Sequence, residues 1–253
     1  EFRRVLFRSA GTHSKLYVVD ANNTLHDITP TGFTAGSADA VQNLGWSALA
    51  WSGNEWGTPR PDSGTYTPAT TWSLDTWGQY LVGCSTSDGK IYEWQNNTSN
   101  PAAVLSNAPT SNTAIITTDE RFIFALGAGG EGNRVEWCDQ EDNTTWTAAA
   151  TNQAGGQSLT TSGNIITAET MRGETLILTT VDAHVARYTG PPFVYSFSRV
   201  GTGCGIASAN ACIRANNFAV WMGQNSFHIY DGGVRTLPSQ VGDYVFSDMN
   251  DAQ

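Results

Sequence analysis

A hairpin that keeps returning is what most restricts the folds open to this chain. Residues Gln79–Trp94, QYLVGCSTSDGKIYEW, read as two short strands around a polar turn. Tyr80, Leu81 and Val82 form the first strand, and Ser85-Thr86-Ser87-Asp88-Gly89 the turn. Lys90-Ile91-Tyr92-Glu93-Trp94 is the second strand, with apolar and polar residues alternating. The plan recurs in other letters. Arg121–Leu126 and Arg134–Trp137 flank a glycine-rich turn, Glu174–Leu178 and His184–Tyr188 flank Val181-Asp182-Ala183, and Asn217–Trp221 and Phe227–Tyr230 flank Gln224-Asn225-Ser226. Aligned on the closing aromatic, Trp94, Trp137, Tyr188 and Tyr230 lie 43, 51 and 42 residues apart, a period in the range of propeller blades.

Each hairpin has a further strand candidate on either side. Ala102–Leu105, Thr144–Thr147, Phe193–Phe197 and Val234–Leu237 follow; Trp72–Leu74, Thr113–Ile116, Asn164–Thr167 and the region from Ile206 to Ile213 precede. Four strands per repeat describe a blade. A four-stranded meander cannot bury both faces alone, so neighbouring copies must stack. The fold expected is all-β, built from β-propeller-like repeats of four-stranded antiparallel blades. A β-sandwich, which also gives short and evenly spaced strands, is the alternative. Near the start, Lys15–Val19 reads as the second strand of a hairpin whose first strand lies upstream, and Leu25–Ile28 as the next strand, closed by Thr29-Pro30.

Residues 1–9, EFRRVLFRS, back-translate codon for codon to a sequencing-library adaptor, GAG TTC AGA CGT GTG CTC TTC CGA TCT. They are read as foreign to the protein. Residues 10–253 are expected to be a partial propeller from a longer protein, with a tryptophan-rich inserted loop at about 36–70. In that loop Trp46, Trp51 and Trp56 are five residues apart, a spacing that matches neither strand nor helix. They would pack on a blade or form an exposed ridge for a protein partner or a sugar ring.

The charge balance removes one class of partner. Lys and Arg number 13 against 23 Asp and Glu, a net charge of -10, and only Lys15 and Lys90 are lysines. Without residues 1–9 the net charge is -12. Such a surface repels phosphates and offers no basic stripe for counterion release, which argues against a sequence-specific nucleic-acid binder. An acidic wall past which DNA slides without sticking is still compatible. No apolar run approaches a membrane span, so no membrane anchor is expected. Cys84, Cys138, Cys204 and Cys212 form no CxxC pair and have no histidine at zinc spacing. Free, buried thiols are the expectation, which fits assembly in a reducing compartment.

No catalytic, cofactor or metal set is expected. Asp119/Glu120 and the group Glu136, Asp139, Glu141 and Asp142 are paired carboxylates, but a glycosidase needs two acids converging on a cleft. The second group reads as a solvated polar turn and lacks the EF-hand order of acids and glycine. Two stretches approach the S-x-D-x-G-x-x-W turn of sialidase-type propellers without matching it. In Ser87-Asp88-Gly89 the glycine directly follows the aspartate, and in Asp142–Trp146 it is missing. His184 and His228 occupy equivalent places after two of the hairpin turns, which points to a repeated structural position. Gly127–Gly132 joins two strands instead of opening a helix, so it is no phosphate loop.

Several segments together resemble one family. They are GWSALAWSGNEWGTPRP, TWSLDTWGQYLVG, DGKIYEW, RVEWCDQEDNTTW, GETLILTTVDAHVARYTGPPFVYSFSRVG, FHIYDGGVRTLP and DYVFSDMNDAQ, whose order and spacing cover nearly all of residues 44–253. The family is the tail hub or nozzle proteins of short-tailed bacteriophages, also called packaged-DNA stabilisation proteins, which look like β-propellers. The resemblance implies a virion protein, assembled in the bacterial cytoplasm, that forms a ring homo-oligomer below the portal. It would contact other tail and portal proteins, extend the DNA channel with DNA as passing cargo, and help retain the packaged genome. It implies no catalytic residues, and the protein is expected not to be an enzyme. A glycan-binding propeller using Trp46, Trp51 and Trp56 is the alternative, and a glycoside hydrolase with acids from different blades ranks behind it.

Overall fold

A computed structural model of the chain describes residues 7–42, 66–215 and 217–248. Their strands fall into sheets in strict chain order, each strand antiparallel to the last. The first sheet has three strands, β1 (Phe7–Gly11), β2 (Leu16–Asp20) and β3 (Leu25–Asp27). A two-stranded ribbon follows, β4 (Val41–Gln42) and β5 (Tyr66–Thr67). Four four-stranded sheets complete the chain. They are β6 (Trp72–Trp77) to β9 (Ala103–Val104) through β7 (Tyr80–Ser85) and β8 (Ile91–Trp94), then β10 (Ala114–Thr117), β11 (Ile123–Leu126), β12 (Arg134–Trp137) and β13 (Gly155–Ser158). The third runs β14 (Ile165–Met171), β15 (Glu174–Thr179), β16 (Asp182–Gly190) and β17 (Val194–Thr202). The fourth runs β18 (Cys212–Ala215), β19 (Phe218–Met222), β20 (Phe227–Tyr230) and β21 (Val234–Leu237), and a short helix α1 (Gly242–Ser247) follows it.

This is the blade repeat of a β-propeller, and the two packed sheets of a sandwich are not what forms. Sheets stack side by side because inner strands bury apolar residues on both faces, most completely β11 and β15. In β15, Leu176 and Leu178 point towards the sheet after it while Ile177 points to the sheet before it, all three fully buried. Four apolar clusters result, one per neighbouring pair of sheets. The densest lies between β10–β13 and β14–β17, where Tyr195 meets Phe122, Phe124 and Trp137 at centroid distances of 5.3, 4.7 and 5.6 Å. Fully burying one large aromatic or aliphatic side chain contributes about 1.5–3 kcal/mol, so these seams supply most of the cohesion.

The structure corrects three expectations. The partner strand of Leu16–Asp20, expected upstream, is in this chain Phe7–Gly11, which includes Phe7, Arg8 and Ser9 of the segment read as foreign; the two pair in register, and Phe7 meets Trp94 edge-on at 4.9 Å. An edge ladder needs only backbone groups and one apolar contact, which FRSAG supplies. Secondly, the outer strand expected at Thr144–Thr147 is Gly155–Ser158. The Asp142 carboxylate accepts from the Thr144 N–H at 2.9 Å and from the Thr144 and Thr145 hydroxyls at 2.6 and 2.8 Å, so that stretch is a braced turn.

The third correction concerns the closing aromatics. Trp94, Tyr188 and Tyr230 face the preceding sheet, whereas Trp137 faces the following one. Cys138, next in the chain, faces backwards in its place and packs with Ile91 and Ile123. A one-residue slip exchanges the faces of a strand. Gly155, directly across the ladder from Trp137, leaves the room the indole needs: a Cβ there would lie 2.8 Å from the ring.

Candidate functional site

The three contact residues expected from the sequence, Trp46, Trp51 and Trp56, lie outside the described residues. At the flanks of their loop, Val41 and Gln42 pair with Thr67 and Tyr66. What the structure does bring together is a channel of about 1350 Å³, lined chiefly by the first strand of each four-stranded sheet. β6, β10, β14 and β18 contribute Ser73, Asp75, Thr117, Glu169, Thr170 and Arg214 to its wall. A blade's first strand pairs on one side only, so its other edge carries unpaired backbone groups. Here side chains from neighbouring blades occupy those groups. The Ile115 N–H donates to Ser73 Oγ at 2.8 Å and the Thr117 N–H to Asp75 Oδ2 at 2.7 Å. From the other side the Thr170 hydroxyl donates to the Thr117 carbonyl at 2.9 Å, and the Arg214 guanidinium donates to the Thr170 carbonyl. A continuous tie therefore runs across four blades.

Glu169 is a titratable group altered by this setting. Burial pushes its carboxyl above the ordinary range and the negative Asp75 pushes it the same way, while Arg214 opposes both. Asp75 on β6 and Glu169 on β14 lie on first strands two blades apart, and the sequence signal that could have found them was a lone carboxylate within each of these first strands. Of the acids singled out from sequence, Asp119 contributes to the same wall and the others lie elsewhere. Asp139 accepts the Gln140 and Gln153 N–H groups at 2.8 Å each, and Asp142 braces its turn. Glu120 Oε2 accepts a long bond of 3.3 Å from the Tyr195 hydroxyl. Among the described residues no group of three or more His, Cys, Asp or Glu is placed to hold a metal ion.

The histidine equivalence holds. His184 sits across the ladder from Ile177 and His228 from Trp221, the same register in two sheets. His228 stacks on Trp221 at 5.6 Å and contacts Ser226 Oγ at 3.1 Å, and burial lowers its pKa. His184 Nε2 lies 3.2 Å from Asp182 Oδ1, and that same oxygen accepts the Thr179 and Thr161 hydroxyls at 2.6 and 2.8 Å. All four cysteines are free, and burial pushes their thiols up, to about 12 for Cys84, Cys138 and Cys212 and about 11 for Cys204.

No family model and no curated protein matches the chain. Solved structures do. A catalytically inactive variant of virginiamycin B lyase from Staphylococcus aureus with quinupristin is 8% identical over 90% of this chain and 64% of its own, with a TM-score of 0.52. A selenomethionine form of the same lyase gives 9% identity over the same shares and a TM-score of 0.49. Dihydro-heme d1 dehydrogenase NirN gives 11% identity over 94% of this chain and 45% of its own, with a TM-score of 0.49. The chain thus spans less than two thirds of these structures, and the likeness shows the propeller fold. It also corrects the expectation that the protein is not an enzyme: a lyase stands on the same scaffold, so the scaffold excludes no activity.

Proposed function

We propose that the chain is a structural propeller of a short-tailed bacteriophage tail, one that multimerises below the portal, extends the DNA channel and helps retain the packaged genome. The observation that carries the scaffold part of the reading is the tie across the blades. Ser73, Asp75, Thr170 and Arg214, polar groups converging on the channel, each hold a neighbour's backbone. The tail assignment draws its support from the segments that resemble the hub and nozzle family, which among the described residues fall on β6–β8, β12 and its turn, β15–β17, β20–β21 and α1. An acidic surface suits passing DNA, since repulsion reaches about 10 Å at 0.1 M salt and keeps phosphates from sticking to a narrow wall.

Electron microscopy of the protein with the portal and tail proteins encoded beside it provides the test. Rings seated on the portal are the expected result. Discrete particles that never join a portal or one another would sink the tail reading.

A further inference from the structure

The seam between β14–β17 and β18–β21 holds a buried imidazole. Cys212, Trp221, His228 and Thr236 form one row across β18–β21, and Trp221 and Tyr230 turn that face onto β14–β17. His228 is 6% exposed, and Gly223 lies so close that a Cβ there would stand 3.0 Å from its Nε2. Among the described residues the ring's one side-chain hydrogen-bond partner is the neutral Ser226 hydroxyl. The ionisable groups on the elements packed around it are engaged elsewhere. Glu174 accepts the Tyr230 hydroxyl at 2.6 Å and pairs with Arg187. Asp182 is held by two threonine hydroxyls and lies near His184 and Arg199. Glu169 acts on Cys212 and Arg214, and Arg235 pairs with Asp231. Cys204, in the same seam, is a thiol raised to about 11 and so neutral. The preceding seam has a histidine in the equivalent place with a different neighbour. His184 is equally buried, across from Ile177, which packs against β10–β13, and its Nε2 faces a carboxylate at 3.2 Å.

We propose that the seam between β14–β17 and β18–β21 is an acid-sensitive joint, loosened when His228 takes up a proton from solvent while the seam at His184 stays closed. A proton on His228 places a charge with no counterion on an otherwise apolar face, which is costly. A proton on His184 has Asp182 beside it. Burial lowers His228 below its ordinary 6.5, so between the two values the closed seam binds fewer protons than the open one. The seam is at full strength above pH 6.5, weakens as pH falls through that window and weakens no further below it. Glu169, raised by burial, acts with the opposite sign, so acid does not loosen the seam through that group. The joint works in the same way whether or not the chain belongs to a phage tail.

Hydrogen exchange of wild type and His228→Gln, read by mass spectrometry at pH 7.5 and 5.5 and corrected for the intrinsic effect of pH, tests the joint. An open state that titrates at about 6.5 gains at most about tenfold at pH 5.5, so wild-type amides of β19 and β20 should lose protection by about three- to tenfold. Those of β11 and β12 should keep theirs. His228→Gln, neutral at both pH values, should show no such loss. If that variant opens the seam at both pH values, an imidazole NMR titration of wild type decides: a His228 midpoint below 6.5 supports the joint, and one at or above 6.5 overturns it. Unchanged protection in wild type also overturns it, as does an equal loss in β11 and β12, or an acid-dependent loss that survives in His228→Gln.

Discussion

Gly89 answers two demands at once. Its φ of +61° is left-handed, and a Cβ built on it would lie 2.5 Å from Ser111 Cα in the loop that leads to the next blade. Gly173, at φ +77°, has the first constraint alone, with nothing within 4 Å of a built Cβ. Left-handed backbone costs an ordinary residue about 1 kcal/mol and a backbone clash adds to it. Gly89→Ala is therefore expected to lose about 3 kcal/mol in urea unfolding against about 1 kcal/mol for Gly173→Ala; equal losses would show that the approach to Ser111 is immaterial. The turn was legible from Asp88-Gly89, but the second demand was not, because it depends on a residue in another blade. Glu169 shows the same limit and yields a pH prediction. The fold holds its carboxyl above the ordinary 4.5, so between the two values the folded chain binds more protons than the unfolded one. Stability falls as pH rises through that window and stays lowered above it. Glu169→Gln should be the more stable protein at neutral pH, with the gap closing below pH 4.5; a gap independent of pH would refute the burial argument.

At the scale of the element, strands were readable wherever apolar residues alternate, and faces were not. IYEW and RVEW look like one motif, yet Trp94 points backwards and Trp137 forwards. Side-chain direction is fixed by register, and register by what lies across the ladder, here Gly155 for Trp137. The misplaced outer strand has a related cause. Thr144–Thr147 has strand-forming letters, but local Asx bonding to Asp142 offers its backbone a competing partner. The forward turn of Trp137 completes the aromatic seam around Tyr195, which also places its hydroxyl 3.0 Å from the Thr118 hydroxyl. Tyr195→Ala should cost about 3–5 kcal/mol, and Tyr195→Phe about 1 kcal/mol, by denaturant unfolding. A near-neutral Tyr195→Ala would mean that the seam collapses around the gap.

At the scale of the whole chain, stacking sheets makes stability a sum over neighbours. The thiols report on this. Burial raises all four thiols to about 11–12, but Cys84, Cys138 and Cys204 are buried in seams whereas Cys212 is partly exposed on the last sheet. At pH 8 in native buffer a thiol reagent should modify Cys212 first and leave the other three intact, while urea should release all four. Rapid modification of Cys84 would contradict the packing between β6–β9 and β10–β13. Blade period and class could be read from the chain because they rest on local alternation; the channel could not, because its wall is assembled from first strands far apart in sequence.

The tie across the channel has a consequence for modularity. Ser73 and Asp75 are spelled in one repeat and serve the backbone of the following one, and Arg214 likewise serves the repeat before it. A blade excised at its strand boundaries would leave behind the groups that finish it and carry away those that finish its neighbour. Every tie joins two successive first strands, so a graft of any single repeat must bring matching side chains on both of its flanks.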